Sequence, residues 1–152
     1  MVEDLIAGLG QKLGLSVELN EEGACRLVFE DKYTVDIQVQ EGQENRFYLL
    51  STVGQAEAPT EERLRTLLDA NLFGQGTGEA ALAFDPDMEE IVLQRCFDAR
   101  YVDLGQLMGA LEEFVNVVAS WTERLDGQTA DTARNSAEAT ALAQADPSFL
   151  RI

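Results

Sequence analysis

Eight residues, Tyr33 to Gln40, constrain the fold of this 152-residue chain more than any other stretch. Tyr33, Val35, Ile37 and Val39 alternate without a break with Thr34, Asp36, Gln38 and Gln40. A period of two puts the apolar side chains on one face of a strand and the polar ones on the other. Such a strand belongs in an antiparallel sheet with one dry and one wet face. Its neighbours follow suit. Ala24 to Glu30 places Cys25, Leu27 and Phe29 on one face, with Asp31-Lys32 as the tight connection. Asn20-Glu21-Glu22-Gly23 reads as a hairpin turn after a short strand over 15–19, with Gly23 free to take positive φ. In Arg46 to Val53, Phe47 and Leu49 alternate with Tyr48 and Leu50. Both faces of that strand are apolar, so cover is expected on both sides.

Three stretches switch to helical spacing. Val2, Leu5, Ile6, Leu9 and Leu13 form one stripe, with Glu3 and Asp4 in the first turn and Gly14 as the stop. Thr60 is the expected N-cap of a second helix that runs to about Phe73, carrying Leu64, Leu67, Leu68 and Leu72 with Asn71 set into the stripe. Asp103 and Gln106 make a capping box for a third, 104–125, striped by Leu104, Leu107, Met108, Leu111, Phe114, Val115, Val118 and Leu125 with Trp121 near its end. Between the last two helices, Ala80 to Asp85 and Glu90 to Asp98 form a hairpin around Pro86-Asp87. The order is α-β-β-β-β-α-β-β-α, an α+β fold with a mainly antiparallel, twisted sheet and three helices, over residues 1–125. Residues 126–145 hold almost no large apolar side chain and are expected to be mobile. The chain then turns apolar again at Pro147 to Ile152, so 126–152 is set apart as a tail.

Chemistry finds little to work with. The chain has no His, which removes the usual general base and the commonest metal ligand. Cys25 and Cys96 are far apart, each in an apolar strand pattern, so they are expected in the core and no zinc spacing exists. Two such thiols and an acidic amino terminus point to a reducing, cytoplasmic setting. The formal charge of −17, with eleven basic residues scattered along the chain, argues against nucleic acid. No apolar run approaches the length of a membrane span. Gly74-Gln75-Gly76-Thr77-Gly78 follows a helix and precedes a strand, the reverse of a phosphate-cradling loop. Asp85, Asp87, Glu89 and Glu90 crowd one turn without the spread of ligands a calcium loop needs. No catalytic residue, metal or cofactor is expected. The surplus is apolar surface. The 64–73 helix with its hairpin, and the first helix beside the early strands, are hard to bury together in one small domain, and this points to a binding module.

The residues Leu67-Leu68-Asp69-Ala70-Asn71-Leu72-Phe73, then Gly78 and Leu82-Ala83-Phe84-Asp85, carry a family likeness, as do Leu13-Gly14-Leu15 and Cys25-Arg26-Leu27-Val28-Phe29. In this order, in a small acidic chain, they resemble the class I type III secretion chaperones, the group named for the Tir chaperone. The resemblance covers residues 1–125. It implies a cytoplasmic homodimer without enzymatic activity that holds the amino-terminal region of a secreted effector in extended form. By position it implies a two-fold interface at Leu64, Leu67, Leu68, Asn71, Leu72 and Phe73. It likewise implies effector contacts at Leu5, Ile6, Leu9, Leu27, Phe29, Val35 and Ile37. A regulatory module on the same scaffold, sequestering a transcription factor or another chaperone, is the competing reading.

Overall fold

A computed structural model describes residues 1–145, with side chains through Gly127. Helix α1 (Val2–Leu13) leads to strands β1 (Ala24–Phe29), β2 (Tyr33–Gln40) and β3 (Gln43–Gln55). Helix α2 (Glu61–Asn71) and a single 3-10 turn (Leu72–Gly74) follow, then β4 (Ala81–Asp85), β5 (Glu90–Asp98) and the long α3 (Leu104–Ala145). The five strands form one antiparallel sheet in the order β1-β2-β3-β5-β4. The α+β architecture expected from the sequence is the one observed.

The alternation in β2 decides how the layers stack. Val35 and Ile37 are fully buried, and their neighbours Leu27, Phe47, Leu49, Ile91 and Leu93 join them on the same face of the sheet. Helices α1 and α3 lie over that face through Val2, Ile6 and Leu9 from one and Leu107, Leu111, Phe114, Val118 and Trp121 from the other. The two helices touch closely: a methyl group at Gly8 would meet Leu104 Cδ2 at 3.2 Å. Phe47 stacks on Phe97 across the β3–β5 ladder, centroids 5.4 Å apart.

Four expectations are corrected in detail. Residues 15–19 do not join the sheet. The left-handed Gly14 turns the chain back along α1, Leu15 N–H bonds Gly10 C=O at 2.8 Å, and Val17 packs where a side chain on Gly10 would stand. Strand β3 is buried on one side only, Tyr48 and Leu50 lying half-buried on the face that no helix covers. Cys96 falls on that same open face and is exposed, because Phe97 and Leu93 take the inward phase of β5. Helix α3 does not stop at Leu125. Leu125 is its last buried residue among those with described side chains, but the helix continues to Ala145. The tail expected over 126–152 thus begins as a continuation of this helix, and its apolar end at 147–152 lies outside the described residues.

The caps form as the sequence reads. Thr60 Oγ1 accepts from Arg63 N–H at 3.2 Å. Asp103 and Gln106 exchange reciprocal bonds at 2.8 and 2.9 Å. Asn71 plays a different part. Its carboxamide accepts from Leu82 N–H at 2.8 Å and donates to Leu82 C=O at 3.0 Å. One side chain thus imitates a neighbouring strand and takes both outward groups of Leu82 at the outer edge of β4, tying α2 to the sheet. Beyond it, Trp121 Nε1–H donates to Gly76 C=O at 2.8 Å, and Gly76 lies so close to Ala70 that a methyl group there would stand 2.8 Å from the Ala70 Cβ.

Two outcomes follow for stability. Asn71→Ala strands both main-chain groups of Leu82 and should cost about 1–3 kcal/mol in denaturant unfolding. Phe47→Ala removes a fully buried ring and should cost about 3–5 kcal/mol in the same measurement.

Candidate interaction surfaces

Among the described residues, two of the regions that leave apolar groups or strand edges uncovered hold the residues expected at interfaces. The first lies on α2 and the 3-10 turn. Helix α2 uses only Leu67 and Ala70 to reach the core. Leu64 and Leu72 emerge on its other side, Leu68 is 70% exposed and Phe73 is 97% exposed. Phe84 and Met88 of the following hairpin are exposed as well. Phe73 is held out at φ 54°, ψ 18°, the left-handed region. That conformation costs a bulky L-residue roughly 1–2 kcal/mol, and Gly74 after it is left-handed too. Of the six residues expected at an interface, four are solvent-facing in the monomer. Leu67 is core, and Asn71 is engaged by Leu82.

The second region is the β1 edge. The seven residues expected to meet an effector divide sharply. Ile6, Leu9, Leu27, Val35 and Ile37 are at most 2% exposed and form the monomer core, so they are not available as groove contacts in this arrangement. Their strong apolar periodicity is the signature of burial under α1 and α3, and it drew attention away from the opposite phase. Leu5 and Phe29 are half-buried and reach the surface. Val28, out of phase with Leu27 and Phe29, is 55% exposed, and Leu15 stands open near the start of the 15–20 segment. A valine on the polar phase of an edge strand is a signal the sequence carried.

The edge has a readable hydrogen-bond pattern. Val39 N–H bonds Gly23 C=O at 2.8 Å, so odd-numbered residues of β1 turn their main-chain groups towards β2 and even-numbered ones turn outward. The outward groups of Ala24 are taken by Asn20, through its main-chain N–H and its side-chain oxygen. Among the described residues nothing pairs with those of Arg26 and Val28. The Arg26 guanidinium reaches back across the open face to Asp36, with contacts at 2.6 and 2.8 Å.

The densest acidic turn binds itself, Asp85 Oδ1 accepting from the amides of Asp87 and Met88 at 3.0 and 3.2 Å. Among the described residues, no three His, Cys, Asp or Glu side chains converge as a metal site would need. Burial, with the charge of Asp36 behind it, pushes the Cys25 thiol above its ordinary pKa and away from a reactive thiolate. No helix among the described residues is long and apolar enough to cross a membrane.

Several known proteins are similar to this chain in sequence or fold. A protein of Chlamydia pneumoniae is 27% identical over 130 residues, which cover 82% of this chain and 96% of that protein. The fold matches the solved ExsC–ExsE complex with a TM-score of 0.69 at 22% identity, over 82% of this chain and 92% of that one. It matches the HopA1–SchA chaperone–effector complex at 0.68 and 11% identity, over 80% and 93%. The Yersinia pestis type III secretion chaperone SycH, solved with a stable fragment of YscM2, gives 0.63 at 20% identity, over 80% and 99%. The sequence profile of the Tir chaperone protein (CesT) family matches residues 4–122, and the chain belongs to that family.

Proposed function

We propose that this chain is a cytoplasmic type III secretion chaperone without enzymatic activity. As a homodimer it holds the amino-terminal region of a secreted effector in extended form, keeps it soluble and delivers it for secretion. The observation that carries the reading is the pair of uncovered surfaces on a folded member of this family. One is an apolar patch for a second copy, the other a strand edge for an extended guest. The HopA1–SchA chaperone–effector complex among the similar structures supports the same assignment of guest.

The patch on α2 suits a two-fold contact. Leu64 and Leu68 of α2 and Leu72 and Phe73 of the 3-10 turn after it are exposed, and a self-complementary patch is what a two-fold axis requires. A stable contact buries about 1,600 Å² in total, with large aromatic side chains at its centre. Phe73 is the natural anchor. Its backbone strain is an unrecovered cost in an isolated monomer and is offset only when the ring enters a partner.

The guest side follows from the β1 edge. An extended chain can pair with the outward groups of Arg26 and Val28 while its alternate side chains meet Val28, Phe29 and Leu5. Burying an extended chain costs it ordering entropy, so the contact must spread over a large area. The acidic surface, −17 over the chain, keeps the exposed apolar groups from aggregating and favours a guest with basic flanks.

Light scattering tests the dimer directly: the mass of two chains is expected at micromolar concentration, and a clean monomer would sink this reading. Leu68→Glu should give a folded monomer. Phe73→Gly separates the two roles of that residue. It relieves the left-handed strain, so thermal stability of the monomer should hold or rise, while the dimer dissociation constant increases about tenfold or more, a loss of at least ~1.4 kcal/mol. Co-expression with the product of the adjacent gene should give a soluble complex that survives gel filtration.

A further inference from the structure

The sheet has a second place where main-chain groups face outward. Strand β4 covers β5 only from Glu90 to Gln94, and then its chain departs through Ala80 and Glu79. The last four residues of β5, Arg95 to Asp98, pair with β3 on one side alone. The direction of their groups can be read from Asn71. Because its carboxamide binds Leu82 N–H and C=O, the main-chain groups of Leu82 point away from β5. Its partner Leu93 therefore points to β3, and alternation turns Gln94, Cys96 and Asp98 towards the β4 side. Ala99 N–H bonding Asn45 C=O at 2.8 Å fixes the same phase from the other end. Gln94 is covered by Ala81. Among the described residues, nothing accepts from Cys96 N–H or Asp98 N–H, and nothing donates to Cys96 C=O.

Beside these groups lies an open cavity of about 340 Å³ lined by Phe97, Val102, Ala110 and Gln106, with Tyr101 and Glu79 at the rim. Glu79 and Glu113 hold the Arg95 guanidinium, which lies 4.9 Å from the centre of the Phe97 ring, so its charge is already matched. Phe97, Val102 and Ala110 form the apolar part of the lining, beside the charged side chains of Glu79, Arg95 and Asp98.

We infer that the uncovered end of β5 is a second strand-accepting edge. It takes a short extended segment of the guest that continues the line of β4 and places one apolar side chain over Phe97, Val102 and Ala110. The inference rests on the effector-chaperone reading and adds a site at the opposite end of the sheet from β1. An extended backbone is the occupant because the groups waiting there are a main-chain donor, an acceptor and a second donor at strand spacing. A second copy fits poorly. Pairing Cys96 with its own counterpart would drive Asp98 onto the Gln94 that β4 covers. Pairing Cys96 with Asp98 fails as well, because Asp98 C=O already accepts from Tyr101 N–H at 3.0 Å. With β1 and the end of β5 both engaged, one guest chain would be gripped at both ends of the sheet.

Cys96 supplies the test, since its exposed thiol sits on the strand in question. The probe is the amino-terminal region of the protein encoded beside this chain's gene, co-expressed with it and carrying single cysteines scanned along its length. Mild oxidation should join Cys96 to the guest at one position, about tenfold faster than at the positions on either side, the pattern of a directly opposed strand. Amide exchange at Cys96 and Asp98 should slow in the complex by about 100-fold, as for groups entering a ladder. A complex whose guest cysteines never reach Cys96, with protection confined to Arg26 and Val28, overturns the β5 site and leaves the chaperone reading standing. Oxidation that instead joins Cys96 to Cys96 of a second copy also overturns it. Failure to form any complex removes both readings together.

Discussion

One-sided burial of a five-stranded sheet is the constraint from which the rest of this molecule follows. Alternation in β2 gives the sheet a dry face, and α1 and α3 together are wide enough to cover it from β1 to β5. No helix remains for the other face, so Val28, Tyr48, Leu50 and Cys96 stay at or near the surface. The third helix, α2, is spent at the margin, where it packs against β4 rather than adding to either layer. A fold built this way has a strong core and unfinished borders. The proposed function lies in the borders.

The borders are managed unequally, and the inequality is informative. Exposed strand edges invite unwanted pairing, and proteins usually shorten, charge or cover them. Here the outward groups of Leu82 on β4 are taken by a carboxamide from the end of a helix, a device that needs one well-placed Asn71. The β1 edge is closed at Ala24 by Asn20 and left open at Arg26 and Val28. A binding edge of a few residues, flanked by closed ones, restricts which extended chains can pair and in what register.

Most of the fold was legible in the sequence because it is written in periodicity. The stripes of α1 and α3, the caps at Thr60 and Asp103, and the alternation in β1, β2 and β5 all act locally and survive into the structure. Misreadings came where tertiary contacts overrule local pattern. Residues 15–19 look like a strand but pack on Gly10, because that glycine leaves room against α1. Leu27, Val35 and Ile37 looked available for a guest, but the same periodicity that drew notice put them under two helices. The apolar patch on α2 was more readable. The stripe Leu64, Leu67, Leu68 and Leu72 offers more apolar surface than one small domain needs, and in the structure Leu67 alone of the four goes to the core while the others stay exposed. The open end of β5 could not be read at all, since it depends on where β4 stops and on which way a strand's amides face.

Trp121 gives this architecture a further property. It is the single tryptophan of the chain. Its indole N–H ends on Gly76 of the loop after α2, the Arg124 guanidinium lies 4.6 Å from its ring centre, and the ring is almost wholly buried. The intrinsic fluorescence of the molecule therefore originates at the seam where α3 meets the loop carrying the α2 patch. Any rearrangement that lifts that loop changes the polarity around the one emitter, without a label and without disturbing the strand edges. The protein carries its own optical gauge of whether that patch is seated.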